Sequence, residues 1–471
     1  MRLRDVATAL LASLLVAACG GSRTQDGAPS TAAAPAVVPA AVAPPSPATP
    51  VTAVLFRNVH IFSGQGDTQA GASNVLVRGN RIERISTGDI PAESGTTVID
   101  GGGRTLMPGL IDMHWHTMAV RPSVGIAMTA ESGYLNILAA AEATDTLMRG
   151  FTTVRDVGGS SFQLKRAIDE GALPGPRIYP SGAMISVTSG HGDFRQASDL
   201  PRQLGGPLSR MEHMGDTMIA DSPDEVRVRV REQLAQGASQ IKLSAGGGVS
   251  SPHSPLDAVT FTEPELRAAV EAAENWGTYV TVHAYTPVSI KRAIDAGVKC
   301  IEHGSLMDDA SAQLIANHGV WLSMQPFAHE MADAFPPGSN EWTKAQEVFA
   351  GNDKAYEMAK KYKLKTAFGT DILFSRALAQ RQGSLLASLT RWYTPAEALG
   401  LATHSNAELL TLSGKRNPYP GKLGAVEEGA LADLLLVDGD PVADIQLVAN
   451  PGKNFLVIMK NGQIFKNTVT K

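Results

Sequence analysis

From Met107 onward the chain alternates short apolar runs with amphipathic stretches, and this rhythm constrains its fold more than any other feature. Eight runs stand out: LMPGLIDMHWH, FTTVRDVGG, PRIYPSGAMI, SQIKLSAGG, YVTVHAY, CIEHG, VWLSMQP and KTAFGTD. Helix-like segments separate most of them. SPDEVRVRVREQLAQGA starts on a Ser cap and stops at Gly237. TEPELRAAVEAAENWG has a Thr cap with a proline in its first turn, and TPVSIKRAIDAG repeats the plan from Thr286 to Gly297. Strand–helix units in series imply a parallel sheet. Eight of them predict an α/β fold, a closed TIM-like (β/α)8 barrel over residues 107–414. Two inserts break the rhythm, at about 186–221 and about 327–346. Long loops after barrel strands usually wall an active site.

The flanks read differently. VTAVLFRNVHIFSG, NVLVRGNRIERIS and TTVIDGGGRTL alternate like short strands, with Gly79-Asn80 as a turn signal. GALADLLLVDGDP and NFLVIMKNGQIFKN follow the barrel, with Asn461-Gly462 as a hairpin turn. Together they predict a small β-sandwich domain built from both chain ends, residues 51–106 and 415–471. A length of 471 residues accommodates one large and one small domain. Residues 1–19 carry two arginines, an apolar run short for a membrane span and small residues before Cys19, which predicts a secretory signal peptide. Val16-Ala17-Ala18-Cys19 resembles the lipobox of bacterial lipoproteins. An exported periplasmic or cell-envelope protein, lipid-anchored at Cys19, is therefore expected. Residues 20–50 are rich in Ala, Pro, Ser and Thr and read as a flexible linker. The net charge of -5 argues against nucleic acid as the main partner. The only other cysteine, Cys300, sits in VKCIEHG as a small buried hydrophobe, so no internal disulfide framework is expected.

In a parallel barrel the reactive groups emerge at the C-terminal ends of strands. The first run ends in His114 and His116, which alternation places on one face with Trp115 on the other. The fourth carries Lys242, the fifth ends in His283, the sixth in His303 and the eighth in Asp371. Each alone has a bland explanation: a core histidine, a helix cap, a snorkelling lysine. Six of them on one rim point to a metal site. A lysine beside divalent cations has its pKa pushed down. Its neutral amine can take up carbon dioxide, and the resulting carbamate has two oxygens with which to bridge two metals. Arg155 and Asp156 end the second run and predict an internal salt bridge that supports the site. His213, His318, His329 and His404 read as structural or surface residues.

GLIDMHWHT, QIKLSAGGG, VTVHAY, CIEHG and AFGTD resemble the strand-end motifs of the amidohydrolase superfamily, as does the trailing THSNAELL…GKLGAVEEGALADLLLVDGDP. HWHT, SGHGDFR, GGGVSSPHSPLD and TRWYTP resemble bacterial ochratoxin A-degrading amidohydrolases and their Xaa-Pro and Xaa-Arg/Lys dipeptidase relatives. The resemblance implies two Zn²⁺ ions, one held by His114, His116 and Asp371, the other by His283 and His303. N6-carboxylated Lys242 and a hydroxide would bridge them. It implies hydrolysis of the amide bond of N-acyl amino acids or dipeptides, a carboxypeptidase-like activity that includes ochratoxin A to ochratoxin alpha and phenylalanine. Asp371 would carry the proton from nucleophile to leaving amine. His191 and Tyr285 would contact the scissile carbonyl or the developing oxyanion, and His253 would touch substrate. Barrels of this sort are often homo-oligomers. The rival readings are a one-metal cyclic-amide hydrolase of the imidazolonepropionase kind, a lactonase, esterase or aryldialkylphosphatase-like activity on the same centre, and a non-catalytic surface lipoprotein.

Overall fold

A computed structural model describes residues 53–251, 253–327, 331–332 and 335–469. The signal-like segment, the linker, Cys19 and His329 lie outside the described residues. The helices begin and end where their caps dictate. Ser222 caps Pro223–Gln236 by accepting from the Glu225 N–H, and Gly237 closes it in the left-handed conformation. Thr262 and Glu265 form a reciprocal capping box on Glu263–Asn275. Thr286 precedes Pro287–Asp295. The second insert is shorter than expected, because Ser339 caps a long helix, Asn340–Lys361, that begins inside it.

All eight predicted runs contain strands, and the runs pair in parallel. They do not close into one hydrogen-bonded barrel. Leu110–Trp115, Phe151–Asp156 and Arg177–Pro180 form a three-stranded sheet. Ile241–Ser244, Val280–Ala284, Cys300–His303, Trp321–Met324 and Thr366–Phe368 belong to a seven-stranded parallel sheet. The third run explains one of the two breaks. It splits at Gly182, whose φ of 72° turns the chain out of one sheet, and its second half, Met184–Ser186, joins the other. Thr217–Ile219, inside the first insert, adds an unforeseen edge strand there.

Side chains bridge both seams. Between Arg177–Pro180 and Ile241–Ser244, the Gln240 amide donates to the carbonyls of Asp156 (3.0 Å) and Tyr179 (2.8 Å). Between the first and last runs, the buried Asn406 amide donates to Ile111 O (2.7 Å) and Phe368 O (2.8 Å) and accepts from Phe368 N–H (2.9 Å). Here the strands approach so closely that only glycine fits at 369: a Cβ would fall 2.6 Å from the His114 nitrogen.

The two chain ends meet as expected, but in a single mixed sheet of seven strands. Its order is Gln463–Asn467, Phe455–Lys460, Leu434–Val437, Thr97–Pro108, Ala53–Ile61, Gln69–Arg78, Arg81–Ser86. Its apolar face gathers Val54, Phe56, Ile99, Leu106, Leu436 and Val457. The main core lies between the parallel strands and their helices, with Leu243, Val282, Ile301, Leu322 and Phe368 at its centre. No described helix is long and apolar enough to cross a membrane.

Asn406→Ala strands three backbone groups at the seam. It is expected to destabilise the protein by about 3 kcal/mol in chemical denaturation, at about 1–3 kcal/mol per unsatisfied buried group. A loss below about 1 kcal/mol would show that the seam holds without it.

Candidate metal centre

The strand ends deliver their polar groups into one buried floor. His114 and His116 do face the same way, with ring centroids 5.3 Å apart, while Trp115 packs in the opposite direction beside Val154 and Ile178. The His114 ring lies 4.8 Å from that of His303, which sits 4.6 Å edge-on from His283. Asp371 Oδ1 stands 3.3 Å from His114 Nε2 and 3.4 Å from His116 Nε2. The donor atoms of His114, His303 and Asp371 all lie within 4.8 Å of one another, a group able to hold a metal ion. Lys242, 1% exposed, comes from the strand beside that of His283 and lines the same cavity.

Each imidazole has its outer nitrogen tied to an oxygen. His114 Nδ1 meets Glu302 Oε2 at 2.9 Å, and His116 Nδ1 meets Gly158 O at 3.3 Å. His283 Nε2 meets Gly247 O at 2.8 Å, and His303 Nδ1 meets Gln325 Oε1 at 2.7 Å. An oxygen acceptor requires the proton on the bonded nitrogen, so the other nitrogen keeps its lone pair. Burial pushes the pKa of His114 down to about 4 and those of His283 and His303 well below the ordinary value. The rings are therefore neutral, the form that binds metal. Burial likewise lowers the pKa of Lys242. Burial alone would raise the pKa of Asp371; positive charge on the side where His114, His116 and His303 stand lowers it.

Two ligand candidates sit on unusual backbone. His303 has φ 75° and Asp371 has φ 52°, in the region that side-chain-bearing residues seldom adopt. Alternation would send Glu302 and His303 to opposite faces. The turn at His303 brings its ring to His114, whose outer nitrogen Glu302 already holds.

Sequence reasoning missed the groups that hold these ligands in place. Glu302 is fully buried and carries the Arg155 guanidinium at 2.6 Å and the Thr281 hydroxyl as well as His114. This corrects the expected pairing at the second run, since consecutive strand residues point apart. Arg155 pairs with Glu302, while Asp156 accepts from the N–H groups of Thr117 (2.9 Å) and Gly158 (3.1 Å). Asp112 accepts from His114 N (3.0 Å), Thr370 N (3.1 Å), Thr370 Oγ1 (2.6 Å) and Gln382 Nε2 (2.9 Å). It thereby ties the Asp371 turn to the His114 strand. Burial raises its pKa to about 6. One signal was available: Asp112 and Glu302 are carboxylates inside otherwise apolar runs.

Above the floor opens a cavity of about 1330 Å³. Met118, Met128, Leu135, Met211, Phe327, Phe335 and Phe349 are among its walls. His191 stacks on His283 at 4.3 Å, and its Nδ1 is buried without a hydrogen-bond partner among the described residues. Burial pushes its pKa down to about 3. Tyr285 stands edge-on to His283 at 4.6 Å, and burial drives its hydroxyl pKa far up. His253 lies exposed at the cavity edge, bonded to Arg195 O at 2.8 Å. His213 is exposed yet also lines the cavity, His318 is on the surface and His404 is half-buried. Cys300 is fully buried.

Parallel strands that bring imidazoles and carboxylates to one cavity floor define a class of hydrolase rather than one enzyme. The model of the amidohydrolase family matches residues 105–465, and the chain belongs to this family of hydrolases acting on amide bonds. Ochratoxinase from Aspergillus niger is 30% identical over 390 residues, which cover 77% of this chain and 75% of the relative. A solved prolidase complexed with N-methylphosphonate-L-proline superimposes with a TM-score of 0.81 at 32% identity, over 88% of this chain and 100% of the other. A solved Xaa-Pro dipeptidase with bound methionine gives 0.77 at 31%, over 88% and 100%. The family usually carries a binuclear metal centre, and donors with anchored outer nitrogens and free inner lone pairs fit one.

Glu302→Gln keeps the shape but leaves the Arg155 charge buried and unpaired. A loss of about 3–5 kcal/mol in unfolding free energy is expected, since a buried pair has lost one partner. An unchanged denaturation midpoint would show that Arg155 is neutralised elsewhere.

Proposed function

We propose that the chain is a binuclear zinc amidohydrolase that cleaves the amide bond of N-acyl amino acids or dipeptides, the phenylalanine amide of ochratoxin A among them. The observation that carries this reading is the convergence of four imidazoles, Asp371 and buried Lys242 beneath an apolar cavity. His114, His116 and Asp371 would hold one ion and His283 and His303 the other, with Lys242, carboxylated on its neutral amine, between them. Such ions polarise the scissile carbonyl and make a water nucleophile available near neutral pH. The side chains supply the rest. Asp371, kept ionised, accepts the proton of the attacking water and passes it to the departing amine. Tyr285, kept protonated, donates its hydroxyl to the oxyanion, and His191 offers an imidazole with one nitrogen uncommitted. His253 meets the substrate at the cavity edge. The methionine and phenylalanine walls suit a bulky aromatic group, because thioether side chains adapt to irregular apolar shapes. The named activities of the similar proteins, an ochratoxinase and a Xaa-Pro dipeptidase, agree with this substrate class.

The same reading takes the two parallel sheets as one (β/α)8 barrel over 107–414 and the terminal sheet as a small β-sandwich domain. It also takes the chain as an exported lipoprotein, so Cys19→Ala is expected to move it from the membrane to the soluble fraction on cell fractionation. Membrane retention of that variant would contradict the anchor.

A panel of N-acyl amino acids, dipeptides and ochratoxin A tests the activity, run with the zinc-loaded protein and with Lys242→Ala. Two metals per chain are expected, and a drop in kcat/KM in the variant greater than the about 100-fold seen when outer-shell partners of a metal are removed. Full activity in Lys242→Ala would remove the bridging role. About one metal per chain in the unaltered protein would favour the cyclic-amide hydrolase instead.

A further inference from the structure

The loop that follows the Lys242 strand touches the centre twice. Gly247 O takes the outer nitrogen of His283 at 2.8 Å. Gly248 faces His191 so closely that a Cβ there would fall 2.0 Å from its Nδ1. A Cβ at Gly247 would fall 1.6 Å from Pro255 O, so the loop is folded tightly on itself. A small shift of this loop therefore moves both rings, which are stacked on each other.

The loop has a dedicated anchor from a different part of the chain. Lys344, 7% exposed, lies on the helix Asn340–Lys361 just past the second insert. Its Nζ is 2.8 Å from Ser254 O, 3.0 Å from Ser251 O and 3.4 Å from Gly248 O. An ammonium has three donors, and here all three find carbonyls of one loop, at spacings of three residues. The chain curls around the charge much as a loop curls around a bound cation. No carboxylate lies within ion-pair distance of Lys344 among the described residues; Glu341 on the same helix favours its charge at longer range, and the direct contacts of the ammonium are these carbonyls. Glu341, Val348 and Phe349 of the same helix line the cavity, so the anchor sits between the substrate wall and the centre.

We propose that Lys344 is a positioning residue for the hydrolytic centre: by gathering the carbonyls of Gly248, Ser251 and Ser254 it sets Gly247 O against His283 and Gly248 against His191. The consequence for metal binding and turnover rests on the function proposed above, and the loop anchoring itself does not. Lys344→Met keeps the length and removes the charge, Lys344→Ala opens the carbonyl cradle, and Lys344→Arg restores a cation. All three are made in the full chain. Three quantities are read: hydrogen exchange of the 247–258 amides, metal retained per chain after dialysis against chelator, and kcat and KM on a turned-over amide.

Lys344→Met is expected to speed exchange in 247–258 and to lose one of the two metals sooner than the unaltered protein. It is also expected to lower kcat by about 10–100-fold, the range for outer-shell partners of metal ligands, with a smaller change in KM. Lys344→Arg recovers part of each. Ammonium chloride, but not choline chloride, restores metal retention to Lys344→Ala by refilling the cradle. Unaltered exchange and metal retention in Lys344→Met would overturn the proposal. If Lys344→Met does not fold, the ammonium arm decides: restoration in Lys344→Ala supports the anchor and no restoration overturns it. Absence of metal from the unaltered protein would count against the proposed function, while faster loop exchange in the variant would still support the anchor.

Discussion

Everything at the floor of this molecule depends on imidazoles withdrawn from water with their outer nitrogens already bonded. Burial penalises the charged form of a histidine. His114, His283 and His303 are buried and His116 is only partly exposed, and oxygens of Glu302, Gly158, Gly247 and Gln325 fix which nitrogen of each ring carries the proton. The inner surface then presents lone pairs and one ionised carboxylate, a composition that attracts cations. Placing such a surface inside a protein is costly unless every outward bond is made. The layer beneath it is accordingly dense: Arg155 under Glu302, Gln325 under His303, and Asp112 accepting from four donors.

The place where the sheets part is also the place where the centre forms. A continuous backbone ladder between the first and last strands would hold them at ordinary strand spacing, about 4.7–4.9 Å. Instead Asn406 and Asp112 bridge them with side chains, and Gly369 allows the backbones to touch. The Asp371 turn then lies directly over His114, with its N–H on His114 O at 2.8 Å. The positive φ at Asp371 and at His303 is sustained by these surrounding bonds. At this seam the geometry of the site and the irregularity of the fold share one cause.

Much of this was legible in the residues. The eight runs and their caps located every strand that carries a candidate ligand, because apolar periodicity and capping are local properties. Strand alternation put His114 and His116 on one face. The break at the third run was not legible, since it turns on Gly182 leaving one sheet for another, and a glycine in a run has several uses. That both chain ends build one β unit was legible, but its strand pairing was not: alternation tells which residues face inward, not which strands share one ladder. Arg155 was paired with the wrong acid because its partner Glu302 is 147 positions away and adjacency in sequence misled. Glu302 and Asp112 could have been singled out as charges inside apolar strands. Lys344 could not, because its partners are backbone carbonyls, which leave no mark in sequence.

The most direct measurement is anomalous diffraction at the zinc edge from crystals of the full chain. Two peaks within bonding distance of the inner nitrogens of His114, His116, His283 and His303, with Lys242 density extended beyond its amine toward both, is the result this account predicts. A single peak, or a Lys242 side chain that ends short of either ion, would contradict it.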